Sequence, residues 1–314
     1  MPFKVMITAP YMQPVLNRFE DLFREKDVEL VVPLVRERLS EEELLQCIGD
    51  IDGVIAGDDA FTERVLRAAP KLKVISKWGT GIDSFDQQAA KKLGIAIRNT
   101  PDAFSDPVGD QVLGYILALA RRIPWINDHM HAGRWEKLQC FSLKGRTLGV
   151  IGVGDTGKAV VRRAQGFKMR IFGNDIKDMP QDFLQETGIE MTDKETVLKQ
   201  SDFISLNCDL NPTSHHIMGE KEFAMMKDTA YFINCARGPL VDEPALVSAL
   251  ETKKIAGSAL DVFEDEPLPL ESPLMKMDNV LLSPHNANSS EEHWNRIHES
   301  SIVHLFEELG VEPI

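Results

Sequence analysis

The chain has 314 residues, which exceeds the length of one ordinary hydrophobic core and predicts two domains. Its net charge of −14 argues against a nucleic-acid partner, because a phosphate backbone requires a concentrated basic surface. The sequence contains neither a membrane-length apolar run nor the apolar stretch of a signal peptide. The four cysteines form no CxxC pair and no metal-ligand spacing, so we expect a cytoplasmic protein with free thiols and no metal.

Short β-branched segments alternate with amphipathic segments along most of the chain. The first series of predicted strands comprises Lys4–Thr8, Glu29–Val32, Gly53–Ala56 and Val74–Ser76. Helical spacing over Asp106–Arg122 then predicts a long helix that leads to a second series of strands. This second series comprises Thr147–Ile151, Met169–Phe172, Phe203–Leu206, Tyr231–Asn234, Ser258–Leu260 and Val280–Leu282. Further helical patterns include Glu41–Ile48, Phe61–Ala69, Lys158–Gln165, Pro244–Leu250 and Glu291–Leu309. Such alternation predicts βαβ units and parallel sheets covered by helices.

The strongest single motif is the GxGxxG sequence formed by Gly152, Gly154 and Gly157, between a predicted strand and a helical pattern. The first glycine permits a tight turn, the second lets the backbone approach a pyrophosphate, and the third lets helix and strand pack closely. About 20 residues further on, at the end of the next strand, Asp175 can bind the adenosine ribose. We therefore predict a dinucleotide site, and the alternative is a purely structural glycine turn. A carboxylate repels a 2′-phosphate, so Asp175 favours NAD over NADP.

Three side chains in the second half of the chain supply the groups that reduction of a 2-keto acid requires. Arg237 follows a strand and can grip a carboxylate with a fixed charge. His285 also follows a strand and is the natural proton donor near neutral pH, and Glu266 can favour its charged form. Each residue also has a structural explanation. Arg237 could form a surface ion pair, His285 could be a capping group after a proline, and Glu266 could be a solvated acid in a loop.

These motifs and their order resemble the D-isomer specific 2-hydroxyacid dehydrogenase family over nearly the whole chain. Within it, the phosphoglycerate dehydrogenase branch is the most similar, through the segments Lys77–Asp83, Arg98–Pro101 and Ala132–Glu136. The resemblance implies that Arg237 anchors the substrate, that His285 is the acid/base, and that Glu266 is its partner. It also implies a homodimer with an arm after Arg122. The implied cofactor contacts are Thr80, Asp155, Thr156, Asp175, Cys208, Cys235, Ala236 and Asp261.

The implied substrate-binding turn contains Lys77, Trp78 and Gly79, and its backbone amides would bind the substrate carboxylate. Lys77 could meet a phosphate or a second carboxylate, or it could be solvated. Trp78 stands where a small residue is usual, and it either reshapes the pocket or packs in the core. Two further departures from the family pattern are Asn207 and the stretch Asn286–Asn288. Because the chain ends at Ile314, we expect no C-terminal regulatory domain.

From the motifs and the resemblance together, we predict an α/β protein with two doubly wound parallel-sheet domains. An NAD-binding Rossmann domain, 105–286, is inserted into a flavodoxin-like substrate domain, 1–104 and 287–314. The predicted reaction is hydride transfer between NAD(H) and C2 of a small D-2-hydroxy or 2-keto acid, of the 3-phosphoglycerate or hydroxypyruvate/glyoxylate type. The main alternative is a non-catalytic NAD-sensing module of the same fold. A related formate-type oxidoreductase is disfavoured, because Glu266 stands where that type has glutamine.

Overall fold

The computed structural model describes residues 2–312 and divides the chain into two compact units. The first unit comprises the described residues of Met1–Phe104 and Ser290–Ile314, and the second comprises Ser105–Ser289. Residues 1, 313 and 314, which the predicted domain bounds include, lie outside the described residues.

Strands and helices alternate along most of both units. The strands are β1 (Phe3–Ile7), β2 (Val28–Val31), β3 (Gly53–Ala56), β4 (Val74–Lys77), β5 (Ala96–Arg98), β6 (Thr147–Ile151), β7 (Arg170–Asn174), β8 (Glu190–Met191), β9 (Phe203–Leu206), β10 (Tyr231–Asn234), β11 (Gly257–Leu260) and β12 (Val280–Leu282). The helices are α1 (Glu20–Glu25), α2 (Glu41–Cys47), α3 (Glu63–Arg67), α4 (Gln87–Leu93), α5 (Ser105–Arg121), α6 (Ile123–His131), α7 (Asp155–Gly166), α8 (Gln181–Thr187), α9 (Lys194–Gln200), α10 (Glu220–Met225), α11 (Glu243–Glu251) and α12 (Glu291–Leu309). Short 3-10 helices occupy Gln13–Arg18, Ile48–Asp50, Gly238–Leu240 and Pro273–Lys276.

The first unit is built on a parallel sheet with the strand order β2-β1-β3-β4-β5. This is the flavodoxin-like order, in which ligands bind beyond the carboxyl ends of the strands near the reversal between β1 and β3. Strands β3 and β4 are buried along their whole length, as expected for a sheet covered on both faces. The C-terminal helix α12 packs in this unit through Ile297, Ile302 and Leu305, which share a core with Val5 and Ile7.

The second unit contains a parallel sheet with the order β12-β11-β10-β9-β6-β7-β8. From β8 to β11 this is the Rossmann order, and β12 extends it by one strand. Helix α5 lies against α7, where a Cβ on Gly109 would stand 3.2 Å from that of Ala159. The prediction of two parallel-sheet α/β domains is confirmed.

The second unit ends at Ser289 rather than at the predicted residue 286. The reason is a hydrogen-bonded loop: the amides of Asn286 and Ala287 donate to the carboxylate of Asp261 at 2.9 and 2.8 Å. These bonds tie the residues after β12 to the second sheet. Within residues 2–312, no helix combines the length and the apolar composition that crossing a bilayer requires.

Candidate active site

The glycine motif forms the loop between β6 and α7. Gly152 has a φ of +86°, and a Cβ there would lie 2.5 Å from the amide nitrogen of Cys208. A Cβ on Gly157 would overlap the carbonyl oxygen of Gly152, so these two glycines are required by the close approach of the backbone to itself. A Cβ on Gly154 would meet no atom within 4 Å. Open space therefore lies at the N-terminus of a 12-residue helix, where an anionic pyrophosphate fits.

Asp175 lies immediately after β7, beside this loop. Its Oδ2 accepts a hydrogen bond from the amide of Val153 at 2.6 Å, and its Oδ1 accepts one from the amide of Lys177 at 2.8 Å. These bonds hold the carboxylate against the glycine loop, which is where a ribose would lie. Asp155 is the first residue of α7 and is exposed, and Thr156, which follows it, is half-buried. The helix dipole favours a carboxylate in the first turn, and Asp155 is exposed to solvent. These two features explain why this motif contains an acid.

Two cysteines follow the neighbouring strands at the carboxyl edge of the same sheet. Burial raises the pKa of Cys208, which lies just beyond β9, to about 11. Burial also raises the pKa of Cys235, directly after β10, well above its ordinary value. Both thiols are therefore neutral near pH 7. Thr80 belongs to the first unit, where its hydroxyl donates to the carbonyl of Thr100 at 3.0 Å.

Arg237 is held in a turn that β10 positions. Asn234 is 1% exposed; its Nδ2 donates to the carbonyl of Arg237 at 2.9 Å, and its Oδ1 accepts from the amide of Ala236 at 3.0 Å. The next residue, Gly238, packs so closely that a Cβ there would overlap the carbonyl oxygen of Phe263. The turn of Arg237 is therefore in backbone contact with the loop that leads to Glu266.

Glu266 and His285 form a hydrogen-bonded pair in the second unit. The His285 Nδ1 lies 3.0 Å from the Glu266 Oε2, and the amide of Phe263 donates to the other carboxylate oxygen at 3.0 Å. The two side chains of the pair, His285 and Glu266, are 21% and 17% exposed. A carboxylate on Nδ1 can stabilise an imidazolium, and such a pair can exchange a proton through Nε2.

The backbone of His285 adopts a left-handed conformation, with a φ of +51°, that the surrounding hydrogen bonds maintain. Its amide donates to the carbonyl of Asp261 at 2.7 Å. The carboxylate of Asp261, which is fully buried, accepts the two amides that follow His285 and the hydroxyl of Ser283. Tyr115, whose pKa burial raises to about 12, extends this network through a 2.6 Å bond to Ser283. Asp261 therefore positions the loop that contains His285.

The turn after β4 lies in the first unit and brings Lys77, Trp78 and Gly79 together. The Trp78 amide donates to the carbonyl of Ala56 at 2.8 Å, so it belongs to the sheet. The Gly79 amide closes a short turn with the carbonyl of Lys77 at 3.0 Å, and the φ of +137° explains why glycine stands there. Lys77 is not solvated: its side chain is 4% exposed, and its Nζ lies 2.8 Å from the Oδ1 of Asp58.

Trp78 is 4% exposed and packs among aromatic side chains of the first unit. Its ring centroid lies 5.8 Å from that of Tyr11, 5.7 Å from that of Trp294, and 5.6 Å from that of His298. The indole Nε1 donates to the Nδ1 of His298 at 3.0 Å. Of the two sequence-based interpretations of Trp78, core packing is the one that this burial favours.

Two residues that contact the predicted turn, Asp58 and His298, were not predicted from the sequence. Asp58 follows Gly57, the first residue after β3. Its position after a buried strand was a signal that it lies at the carboxyl edge of the sheet. No motif marks His298, because it lies 220 positions from Trp78 along the chain. Across residues 2–312, the structure brings together no group of three or more side chains suited to holding a metal ion.

Comparisons with known proteins agree with this geometry. Residues 113–287 match the family model described as D-isomer specific 2-hydroxyacid dehydrogenase, NAD binding domain. The D-3-phosphoglycerate dehydrogenase of Methanocaldococcus jannaschii is 40% identical over 92% of this chain, which spans only 54% of that relative. The glyoxylate reductase of Korarchaeum cryptofilum is 37% identical over 94% of this chain and 90% of its own length.

Among solved structures, D-lactate dehydrogenase from Aquifex aeolicus, complexed with NAD and lactic acid, superposes with a TM-score of 0.87. The two sequences are 26% identical, and the match covers 99% of this chain and 100% of the other. With the glycine loop and Asp175 in place, these matches show NAD as the cofactor. The chain belongs to the D-isomer specific 2-hydroxyacid dehydrogenase family.

Proposed function

We propose that the protein is an NAD-dependent D-2-hydroxyacid dehydrogenase that acts on a small acid of the 3-phosphoglycerate or hydroxypyruvate/glyoxylate type. The observation that carries this proposal is the 3.0 Å pair of His285 and Glu266 in the NAD-binding unit. A histidine paired in this way is a proton donor for an oxygen that becomes negative during reduction. The proposal assigns the substrate domain to the first unit and the cofactor domain to the second.

NAD would be held by the loop of Gly152, Gly154 and Gly157 and by the carboxylate of Asp175, and when bound it supplies or accepts the hydride at C2. The thiols of Cys208 and Cys235, both neutral, place no competing charge beside it. Thr80, Asp155, Thr156, Ala236 and Asp261 remain proposed cofactor contacts. The proposed contacts therefore join the glycine loop with the carboxyl ends of β9, β10 and β11.

Side chains of the protein then bind the charged substrate and transfer the proton that the reaction requires. The guanidinium of Arg237 holds the substrate carboxylate and polarises the C2 carbonyl. In reduction, the Nε2 of His285 gives its proton to the C2 oxygen, and the carboxylate of Glu266 stabilises the imidazolium beforehand. One hydride and one proton are thus added across the carbonyl. In oxidation the same histidine removes the hydroxyl proton.

The turn of the first unit would bind the substrate carboxylate. Its best donor is the amide of Gly79, because this amide closes only a short turn with Lys77 and can exchange that bond for a ligand. The side chain of Trp78 would act by keeping the turn rigid through its packing. Lys77 would influence the substrate through its charge and the charge of its partner Asp58.

The deciding experiment measures NADH consumption with hydroxypyruvate, glyoxylate, pyruvate and 3-phosphohydroxypyruvate. We expect turnover of at least one acid, and His285→Asn should lower kcat by roughly 10²- to 10⁴-fold, the range for a lost general acid. NADH binding, followed by fluorescence, should persist in the variant. His215→Asn, which changes an exposed histidine of the same unit, is the control and should leave kcat unchanged. Full turnover by the His285 variant would refute the assignment.

We also propose a homodimer formed through the segment 122–141. Helix α6 contains no buried residue, and Ile123, Met130 and Trp135 are 55%, 49% and 85% exposed. Three large apolar side chains exposed within one short segment form a candidate interaction surface. Sedimentation should give a dimer, and Trp135→Asp should weaken it; a monomeric wild-type protein would contradict the proposal.

The four cysteines are free, which supports a reducing, cytoplasmic location.

A further inference from the structure

An ion pair between a buried lysine and a partly exposed aspartate lies beside the proposed substrate-binding turn of the first unit. Ala56, at the end of β3, pairs in register with Lys77, at the end of β4, so Asp58 and Lys77 extend from adjacent strands. The Lys77 Nζ lies 2.8 Å from the Asp58 Oδ1. Both residues thus lie at the carboxyl edge of a parallel sheet, where open α/β folds bind their ligands.

The pairing of Lys77 with Asp58 follows from burial. The lysine side chain is 4% exposed, whereas that of Asp58 is 39% exposed. An ammonium removed from water requires a compensating anion, and the carboxylate of Asp58 is in contact with it. Asp58 therefore places a negative charge in direct contact with this buried cation.

A second carboxylate, that of Asp59, does not replace Asp58 in this role. Asp59 is fully buried, and its Oδ2 accepts from the Thr8 hydroxyl at 2.5 Å and from the Gly57 amide at 3.1 Å. Its Oδ1 accepts from the Leu39 amide at 2.7 Å. Burial raises the pKa of Asp59, and the hydrogen bonds from Thr8 and Leu39 oppose this shift. Asp58 is therefore the carboxylate that directly neutralises Lys77.

The lysine side chain also lies against the turn itself. A Cβ on Gly79 would be 3.8 Å from the Cε of Lys77, so the end of the lysine is next to the amide proposed to bind the substrate carboxylate. A cation at this place would attract a second negative group on the same substrate. The carboxylate of Asp58, which is 39% exposed and in contact with the lysine, weakens this attraction and repels a second anion.

We propose that Asp58 is a specificity-determining residue that, by pairing with Lys77, makes the enzyme select 2-keto acids with an uncharged side chain over those with a second anion. This inference rests on the proposed function. It selects the hydroxypyruvate/glyoxylate type over the phosphorylated type. Removal of the Asp58 carboxylate leaves Lys77 without this partner beside the turn. A phosphate or a second carboxylate on the substrate then pairs with Lys77 in place of Asp58.

The test compares kcat/KM for 3-phosphohydroxypyruvate and for hydroxypyruvate in wild-type protein and in Asp58→Asn. We expect the ratio of the two to rise at least about tenfold in the variant, equivalent to about 1.4 kcal/mol. The double variant Asp58→Asn/Lys77→Met should return the ratio to the wild-type value, because it lacks both charges. Asp50→Asn is the matched control: it removes an exposed carboxylate of the same unit that pairs with Lys4 and Lys71, and should leave the ratio unchanged.

A second readout keeps the proposal independent of turnover. Calorimetric titration with inorganic phosphate should show tighter binding to Asp58→Asn than to the wild-type protein, and this gain should disappear in the double variant. If the wild-type protein reduces neither acid, the proposed function fails while this titration still decides the role of Asp58. Asp58→Ser replaces Asp58→Asn if thermal unfolding shows that the asparagine variant does not fold. An unchanged substrate ratio together with unchanged phosphate affinity in a folded variant overturns the inference.

Discussion

The pairing of Trp78 with His298 predicts a specific loss of stability in acid. Burial, and secondarily the nearby Arg18, lower the pKa of His298 from 6.5 to about 4. Above pH 6.5 the imidazole is neutral in both the folded and the unfolded chain, so it favours neither state. Below that pH the unfolded chain takes up a proton that the folded state resists, because protonated Nδ1 would face the indole N–H as a second donor. Stability is therefore lost as the pH falls from 6.5 towards 4.

The size of this loss follows from the two pKa values. Between pH 7.5 and pH 5, linkage gives about 2 kcal/mol, approaching about 3 kcal/mol below pH 4. The substitution His298→Asn keeps an acceptor near the indole and removes the titrating group. Urea unfolding followed by tryptophan fluorescence at pH 7.5 and pH 5 should show that the wild-type protein loses about 2 kcal/mol more than this variant.

Two comparisons make this result interpretable. His293→Asn alters a partly exposed histidine of the same helix and should retain the wild-type pH dependence. Other groups titrate in this range, so the measured quantity is the difference between variants and not the total loss. If His298→Asn and the wild-type protein lose the same free energy between the two pH values, the imidazole is not held neutral and the reasoning is refuted.

Three further predictions concern the active site. Arg237→Lys should lower kcat/KM by roughly 10²-fold or more, because a point charge cannot replace a planar fork; a kinetic assay with an equal value for both proteins would contradict the role of the guanidinium. Asp175→Ala should weaken NADH binding and raise the ratio of NADPH to NADH affinity, and fluorescence titration that finds the NADH preference intact would assign it to another residue. Gly157→Ala should abolish NADH binding in a titration, since the added methyl group overlaps the carbonyl of Gly152, and normal affinity would show that the loop is not close-packed.

The parts of the fold that were predictable are those with a strong local pattern. The runs Gly53–Ala56, Phe203–Leu206 and Tyr231–Asn234 are largely buried, so their apolar sequences identify them as strands with these bounds. The edge strands β5 and β8 were not predicted. They have three and two residues and little burial, which leaves no periodicity to detect.

Prediction of the site had a similar limit. The positions of Arg237 and His285 after strands were visible, because a polar residue that ends an apolar run is a local feature. The role of Asp261 in holding the loop of His285 was not visible, since its contacts reach residues 22 to 26 positions away. The contact between Asp58 and Lys77 depends on the pairing of two strands, and a single sequence does not state which strands are neighbours.

The division of the chain into two units has a consequence for how this enzyme can change. The proposed proton donor His285, its partner Glu266, Arg237 and the glycine loop all belong to Ser105–Ser289. In our proposal, the residues that distinguish one acid from another, Asp58 and Lys77 among them, belong to the other unit. On this proposal, reactivity and substrate choice are encoded in separate segments of the gene. A new substrate preference can arise by substitutions that leave the acid–base chemistry intact, and a useful library for redesign would vary only the first unit.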